Sequence, residues 1–296
     1  IINCYITEEI NTKKLKMDFV YSIILIAIFI STINGYTDII NTITEYNIEV
    51  QNGKISNALK PCRYNDIFTS ITDNTIKQEA IHFCQYIDLD QSNIKYEELI
   101  ALLDTLPTFV QSNLTIKLDR NNIKTRGAKK IAEFLQYNNT KIRSLYLYGN
   151  FIFSEGGKAI ANALNNVSSN NNNVRANYKQ FFLEELYIGG NHIENEGAIS
   201  FAILLNNNNS RIKKLHMNGN NIQPDGLISI ARSLKRNSIL DELDIQWNYM
   251  NNASAYEFEI MLEINTQLKV LLLSGINKYR NIELCTFHEN TERKKC

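Results

Sequence analysis

The sequence predicts an α/β solenoid, a right-handed stack of short coils with parallel strands on a concave face and helices on the convex one. Three observations predict it. The stretch from Leu183 to Leu205, LEELYIGGNHIENEGAISFAILL, opens with apolar residues two apart (Leu186, Ile188), then changes to the helical spacing of Phe201 and Leu205. A unit this small cannot bury its own apolar face and needs copies of itself on either side. Copies recur: with Leu186 as position zero, equivalents are Ile87, Ile116, Leu145, Leu215, Leu243 and Leu271, spaced by 29, 29, 41, 29, 28 and 28 residues.

The third observation is that the copies agree column by column. Position two is apolar throughout: Leu89, Leu118, Leu147, Ile188, Met217, Ile245 and Leu273. Position five holds Asn121, Asn150, Asn191, Asn220 and Asn248, flanked by Ser92 in the first coil and Ile276 in the last. Position eleven reads Glu98, Gly127, Gly156, Gly197, Gly226 and Ser254, and apolar residues return at positions seven, fifteen and nineteen.

Each column has a physical task. Positions zero and two point to the core side of a strand. A buried Asn amide supplies donors and an acceptor where the chain leaves the strand and its backbone groups lose their ladder partners. Glycine at position eleven is expected to let the backbone turn into the helix with no side chain in the way, and the helix's apolar residues then close onto the strand layer.

The pattern LxLxxNxIxxxGxxxIxxxL resembles the ribonuclease-inhibitor-like class of leucine-rich repeats, which is also found in the Ran GTPase-activating protein and in NOD-like receptors. The resemblance spans Ile87 to about Gly275 and implies a fold, not a ligand. Its departures, Ser92, Glu98 and Ile276, lie in terminal coils, where atypical capping repeats are expected.

From the start of the chain, Phe19 to Ile33 is an apolar run of fifteen residues, shorter than the roughly 20 a membrane span needs. It suits the core of a secretory signal, with Met17 as a start and cleavage near Gly35. Lys13, Lys14 and Lys16 give a basic flank only if translation begins upstream. The expectation is export, with residues 1–35 removed; a retained signal anchor, the one route to a membrane, and a cytosolic buried helix are the alternatives. Residues 36–86 match no coil and are expected to form a helical N-terminal cap after Pro61. Residues 87–275 form the solenoid, 167–181 an Asn-rich insertion, and 276–296 a C-terminal cap or tail.

Once Cys4 leaves with the leader, four cysteines remain, two on each side of the repeats: Cys62, Cys84, Cys285 and Cys296. Pairing within each end, Cys62 with Cys84 and Cys285 with Cys296, is expected. Three connectivities are possible, and free thiols in a reducing compartment are the alternative. His82 with Cys84, and Cys285 with His288 and Cys296, lack a recognised zinc spacing, so no metal is expected.

Lys plus Arg and Asp plus Glu each number 31, so no net field draws the chain to nucleic acid. Sequons at Asn113, Asn138, Asn166, Asn208 and Asn252 are about as many as an Asn-rich chain yields by chance. No GxSxG, HExxH, Walker A or GxGxxG context appears, so neither catalysis nor a cofactor is expected.

What remains is surface. Strand residues facing away from the core include Asp88, Lys117, Tyr146, Tyr187, His216 and Asp244 at position one, and Asp90, Asp119 and Tyr148 at position three. Tyr146, Tyr148, Tyr187 and His216 should form one patch, extended by Trp247, with Glu242 and Asp244 among the carboxylates at its edge. The expectation is a non-enzymatic module binding a protein ligand on the concave face. The alternative is a cytosolic regulator of a small GTPase, as the resemblance to Ran GTPase-activating proteins implies.

Overall fold

The computed structural model describes residues 62–68, 84–106, 113–137, 142–169, 183–208, 210–274 and 285–287. The chain divides into two compact units, Ile1–Leu59 and Lys60–Cys296, and all described residues belong to the second. The expected leader and the Cys285–Cys296 pairing therefore rest on residues outside the described set.

After a four-residue helix, α1 (Tyr64–Ile67), strands and helices alternate: β1 (Tyr86–Asp88), α2 (Tyr96–Thr105), β2 (Leu114–Lys117), α3 (Lys124–Tyr137), β3 (Ile142–Tyr146), α4 (Phe153–Ser169), β4 (Glu185–Tyr187), α5 (Glu194–Leu205), β5 (Lys214–His216), α6 (Pro224–Leu234), β6 (Glu242–Asp244), α7 (Asn252–Ile264) and β7 (Val270–Leu273). One sheet takes the strands in sequence order, β1 to β7 parallel, and β8 (Cys285–Phe287) closes it antiparallel against β7. The fold is a solenoid, and the repeat register is its pairing register. Ile87 faces Ile116, which faces Leu145, then Leu186, Leu215, Leu243 and Leu271. Helix α4 runs on to Ser169, so the first residues of the expected insertion continue a helix.

The core lies between sheet and helices. Positions zero, two, seven and fifteen are buried in every coil from Ile87 to Phe258. At the turns the asparagine ladder is complete and has a direction. Each Asn serves the coil before it: Asn191 Oδ1 accepts from the Asn150 and Ile152 N–H groups, and its Nδ2 donates to Leu147 O at 2.8 Å and to two carbonyls of its own turn. Asn121, Asn150, Asn220 and Asn248 repeat the arrangement one coil along.

The glycine column meets one half of its expectation, the absence of a side chain, and not the other, the turn of the backbone. The helices α3 to α5 begin three residues earlier, and Gly127, Gly156, Gly197 and Gly226 lie within the first turn of their helices. A Cβ at any of the four would come within 3.0 Å of Ile123, Ile152, Ile193 or Ile222, the position-seven residue of its own coil. Those side chains are β-branched and stiff, so the column is kept small by close packing. The bend itself falls at position four, where Gly149, Gly190 and Gly219 all have φ +64°.

The coils without this glycine use the position differently. Glu98 Oε2 accepts the Lys95 N–H at 2.8 Å, capping α2, and its other oxygen accepts from Tyr64 of α1 at 2.7 Å. Ser254 forms the equivalent reciprocal cap with Asn251 at the start of α7. Cys62 and Cys84 are disulfide-bonded with Cα atoms 5.9 Å apart, and Cys62 bridges in parallel to Ile87. Of the expected helical cap, α1 and this bridge fall among the described residues.

Candidate binding surface

On the sheet face turned away from the helices, position one of successive strands builds a continuous row because parallel neighbours lie about 4.8 Å apart. Tyr146 and Tyr187 stack with centroids 4.1 Å apart and planes 5° from parallel, and His216 tilts against Tyr187 at 4.6 Å. Lys117 places its ammonium 5.2 Å from the Tyr146 ring and 5.4 Å from that of Tyr86, within cation–π range. Burial pushes the Tyr187 phenol well above the usual tyrosine range, and its hydrogen bond with Tyr146 adds to the effect.

Charges flank the rings and largely neutralise one another. His216 Nε2 lies 2.8 Å from Glu242, and Lys214 reaches both Glu185 and Glu242. Arg120 holds Asp90 through two nitrogens, which keeps that carboxyl below its ordinary range. Asp119 is pushed up by burial, although the Tyr148 N–H donates to it at 2.7 Å. Asp88 pairs with Arg63 at 3.6 Å.

Tyr146, Tyr187 and His216 thus come together, and Tyr148 stands beside them with its ring over the backbone of Gly189 and Gly190. Asp244 differs from expectation: it is only 8% exposed. Its carboxylate folds back to accept the Gln246 N–H at 3.0 Å, with the His216 ring 3.8 Å away, and burial raises its pKa. It presents little surface of its own, and the short contact of His216 is with Glu242. Trp247 lies on the turn and is 62% exposed.

The sequence reading missed two sets of residues. Asn237 and Asn265 are buried before β6 and β7, each donating at 2.6 Å to the last carbonyl of the helix one coil back, Leu205 of α5 and Leu234 of α6, and accepting from the incoming strand segment. The shared spacing Asn237-x-x-Leu240 and Asn265-x-x-Leu268 would have shown them. Phe151, Phe153 and Tyr249, exposed on the strand-to-helix turns, were also missed. Among the described residues no cluster of His, Cys, Asp and Glu is arranged to hold a metal, and no helix is long and apolar enough to cross a membrane.

Two stretches, residues 179–202 and 208–231, match a family model described as Leucine Rich repeat. These coils are leucine-rich repeats. The register of the sheet carries the same unit through the flanking coils, so the solenoid is a leucine-rich-repeat solenoid. No curated protein matches the chain. Among solved structures it is similar to Leiomodin-1 Actin-Binding Site 2, at 20% identity and a TM-score of 0.38, over 47% of this chain and 74% of that one. A likeness of that size carries nothing about this chain's ligand.

Proposed function

We propose that the chain is an exported, non-enzymatic protein-binding module of the ribonuclease-inhibitor-like kind, whose ligand lies across the outer sheet face around Tyr146 and Tyr187. The observation that carries this reading is the stacked pair itself: two aromatic side chains fixed on adjacent strands, braced by His216 and by the Lys117 ammonium. Rings already held in place lose little freedom on binding, and such aromatics dominate interface energetics. The coil spacing, 28 to 29 residues in every interval but the one of 41, with a full helix after each of β1 to β6, supports the subclass.

Export is supported by the apolar run from Phe19 to Ile33 and by the Cys62–Cys84 disulfide, which persists in an oxidising compartment. Expression in a eukaryotic host with residues 1–35 in place tests it: the reading expects product in the medium, and retention in the cytosol with Cys62 and Cys84 as thiols overturns it. For the surface, changing Tyr146, Tyr187 and Trp247 together to Ala is expected to leave the circular dichroism spectrum unchanged and to abolish cross-linked capture of the partners that wild type recovers. Undiminished capture places the ligand elsewhere.

A further inference from the structure

A second surface lies on the strand-to-helix turns, and its residues conflict with what folding alone would select. At position six the chain is left-handed in five coils, and three of them use asparagine: Asn93, Asn122 and Asn221, with φ between +53° and +59°. Asparagine tolerates this region well. The third coil instead has Phe151 at φ +54° and, two residues on, at a position that is left-handed also at Lys124 and Glu194 of the neighbouring coils, Phe153 at φ +59°; the rings are 48% and 45% exposed. Neither ring is sunk in the core, so packing does not account for bulky residues at strained backbone positions. Such local violations concentrate where a chain binds something.

The two rings continue into a defined site. His192 of the next coil stacks against both, at 6.2 and 5.7 Å, and its Nδ1 lies 2.8 Å from the Asn221 amide. Asn221 in turn lines an open depression of about 370 Å³ shared with Glu194, Glu196 and Tyr249. Among the described residues neither carboxylate forms an ion pair, although Glu196 accepts from the Ser154 hydroxyl at 3.3 Å, whereas Glu185 and Glu242 on the sheet face do form ion pairs.

We infer that this edge docks an extended segment of a partner protein that carries a lysine or arginine. The cationic head enters the middle of the depression, with Glu194 and Glu196 on one side and the Tyr249 ring on the other, where carboxylates and an aromatic face both favour it. The apolar part of the segment lies on Phe151 and Phe153. The depression is centred two coils from those rings, about 10 Å at the spacing of parallel strands, or about three residues of extended chain. The recognised pattern is therefore an apolar residue and a basic one about three positions apart. This surface is distinct from the Tyr146–Tyr187 face.

The test is selection of a phage-displayed random dodecapeptide library on the full chain, followed by titration of the enriched synthetic peptide. Enrichment of apolar and basic residues at that separation is expected. Glu194→Gln with Glu196→Gln, and separately Phe151→Asn, should each weaken the peptide by roughly tenfold or more. Phe151→Asn installs the residue that other coils use there, so its melting temperature should equal or exceed that of wild type, which separates lost contact from lost fold. Tyr146→Ala with Tyr187→Ala should leave peptide affinity unchanged. No enrichment, enriched peptides without a basic residue, equal binding by the carboxamide variant, or self-association of the chain through this edge overturns the inference. Peptides lost only on Tyr146→Ala with Tyr187→Ala also overturn it, while supporting the sheet-face reading.

Discussion

The first coil and the five that follow it carry different residues at the same two positions, and the difference shows what each position is for. At position five the first coil has Ser92 where the others have asparagine. Every asparagine of the ladder bonds to the turn of the coil preceding it, and among the described residues no such turn lies ahead of the first coil for Ser92 to serve. At position eleven the first coil has Glu98 where the next four have glycine. The interior glycines make room for an isoleucine; Glu98 caps its own helix and anchors Tyr64. What looks like decay of the repeat at its end is a set of residues doing a different job.

The contrast can be broken most sharply at position five. Asn191→Ala strands two N–H groups and the Leu147 carbonyl in the core, at about 1 to 3 kcal/mol for each unsatisfied group, so a loss of at least about 3 kcal/mol is expected in urea unfolding. Ser92→Ala should cost less than about 0.5 kcal/mol. Equal losses would refute the directional reading of the ladder. At position eleven, Gly197→Ala drives a methyl into Ile193, and overpacking of this kind costs about 1 to 3 kcal/mol. In a double-mutant cycle Gly197→Ala should cost less in the Ile193→Ala background than in wild type, a coupling that a backbone-conformation role would not produce.

The smallest effect concerns pH. Burial, with help from the Glu98 carboxylate, pushes the Tyr64 phenol from 10.0 up to about 12. Because the folded value lies above the unfolded one, the contribution to stability is complete below about pH 10 and is lost as pH rises towards 12. Unfolding free energies measured from pH 9 to 12 should fall less steeply for Tyr64→Phe than for wild type.

The fold was legible because stacking forces one residue type to recur wherever the same environment recurs. The aligned leucines and isoleucines became the pairing register itself. The reason for the glycines was not legible: spacing shows that a position must be small, and only coordinates show whether backbone or a neighbouring isoleucine demands it. On the sheet face, period-two alternation brought Tyr146, Tyr187 and His216 together, but it could not show that Asp244 folds back onto the Gln246 amide. Phe151 and Phe153 escaped notice because they sit between the columns, where alignment of repeats assigns no environment.

The one-way wiring of the amides gives the array a polarity beyond that of its strands. Removing a coil from the beginning leaves every remaining asparagine still bonded to the turn it serves, apart from the one whose client is gone. Removing a coil from the other end orphans the turn that becomes terminal. Progressive opening under load or denaturant should therefore start beyond Asn248 and travel backwards, and lineages that lengthen or shorten such a chain should find the front end the more forgiving place to edit.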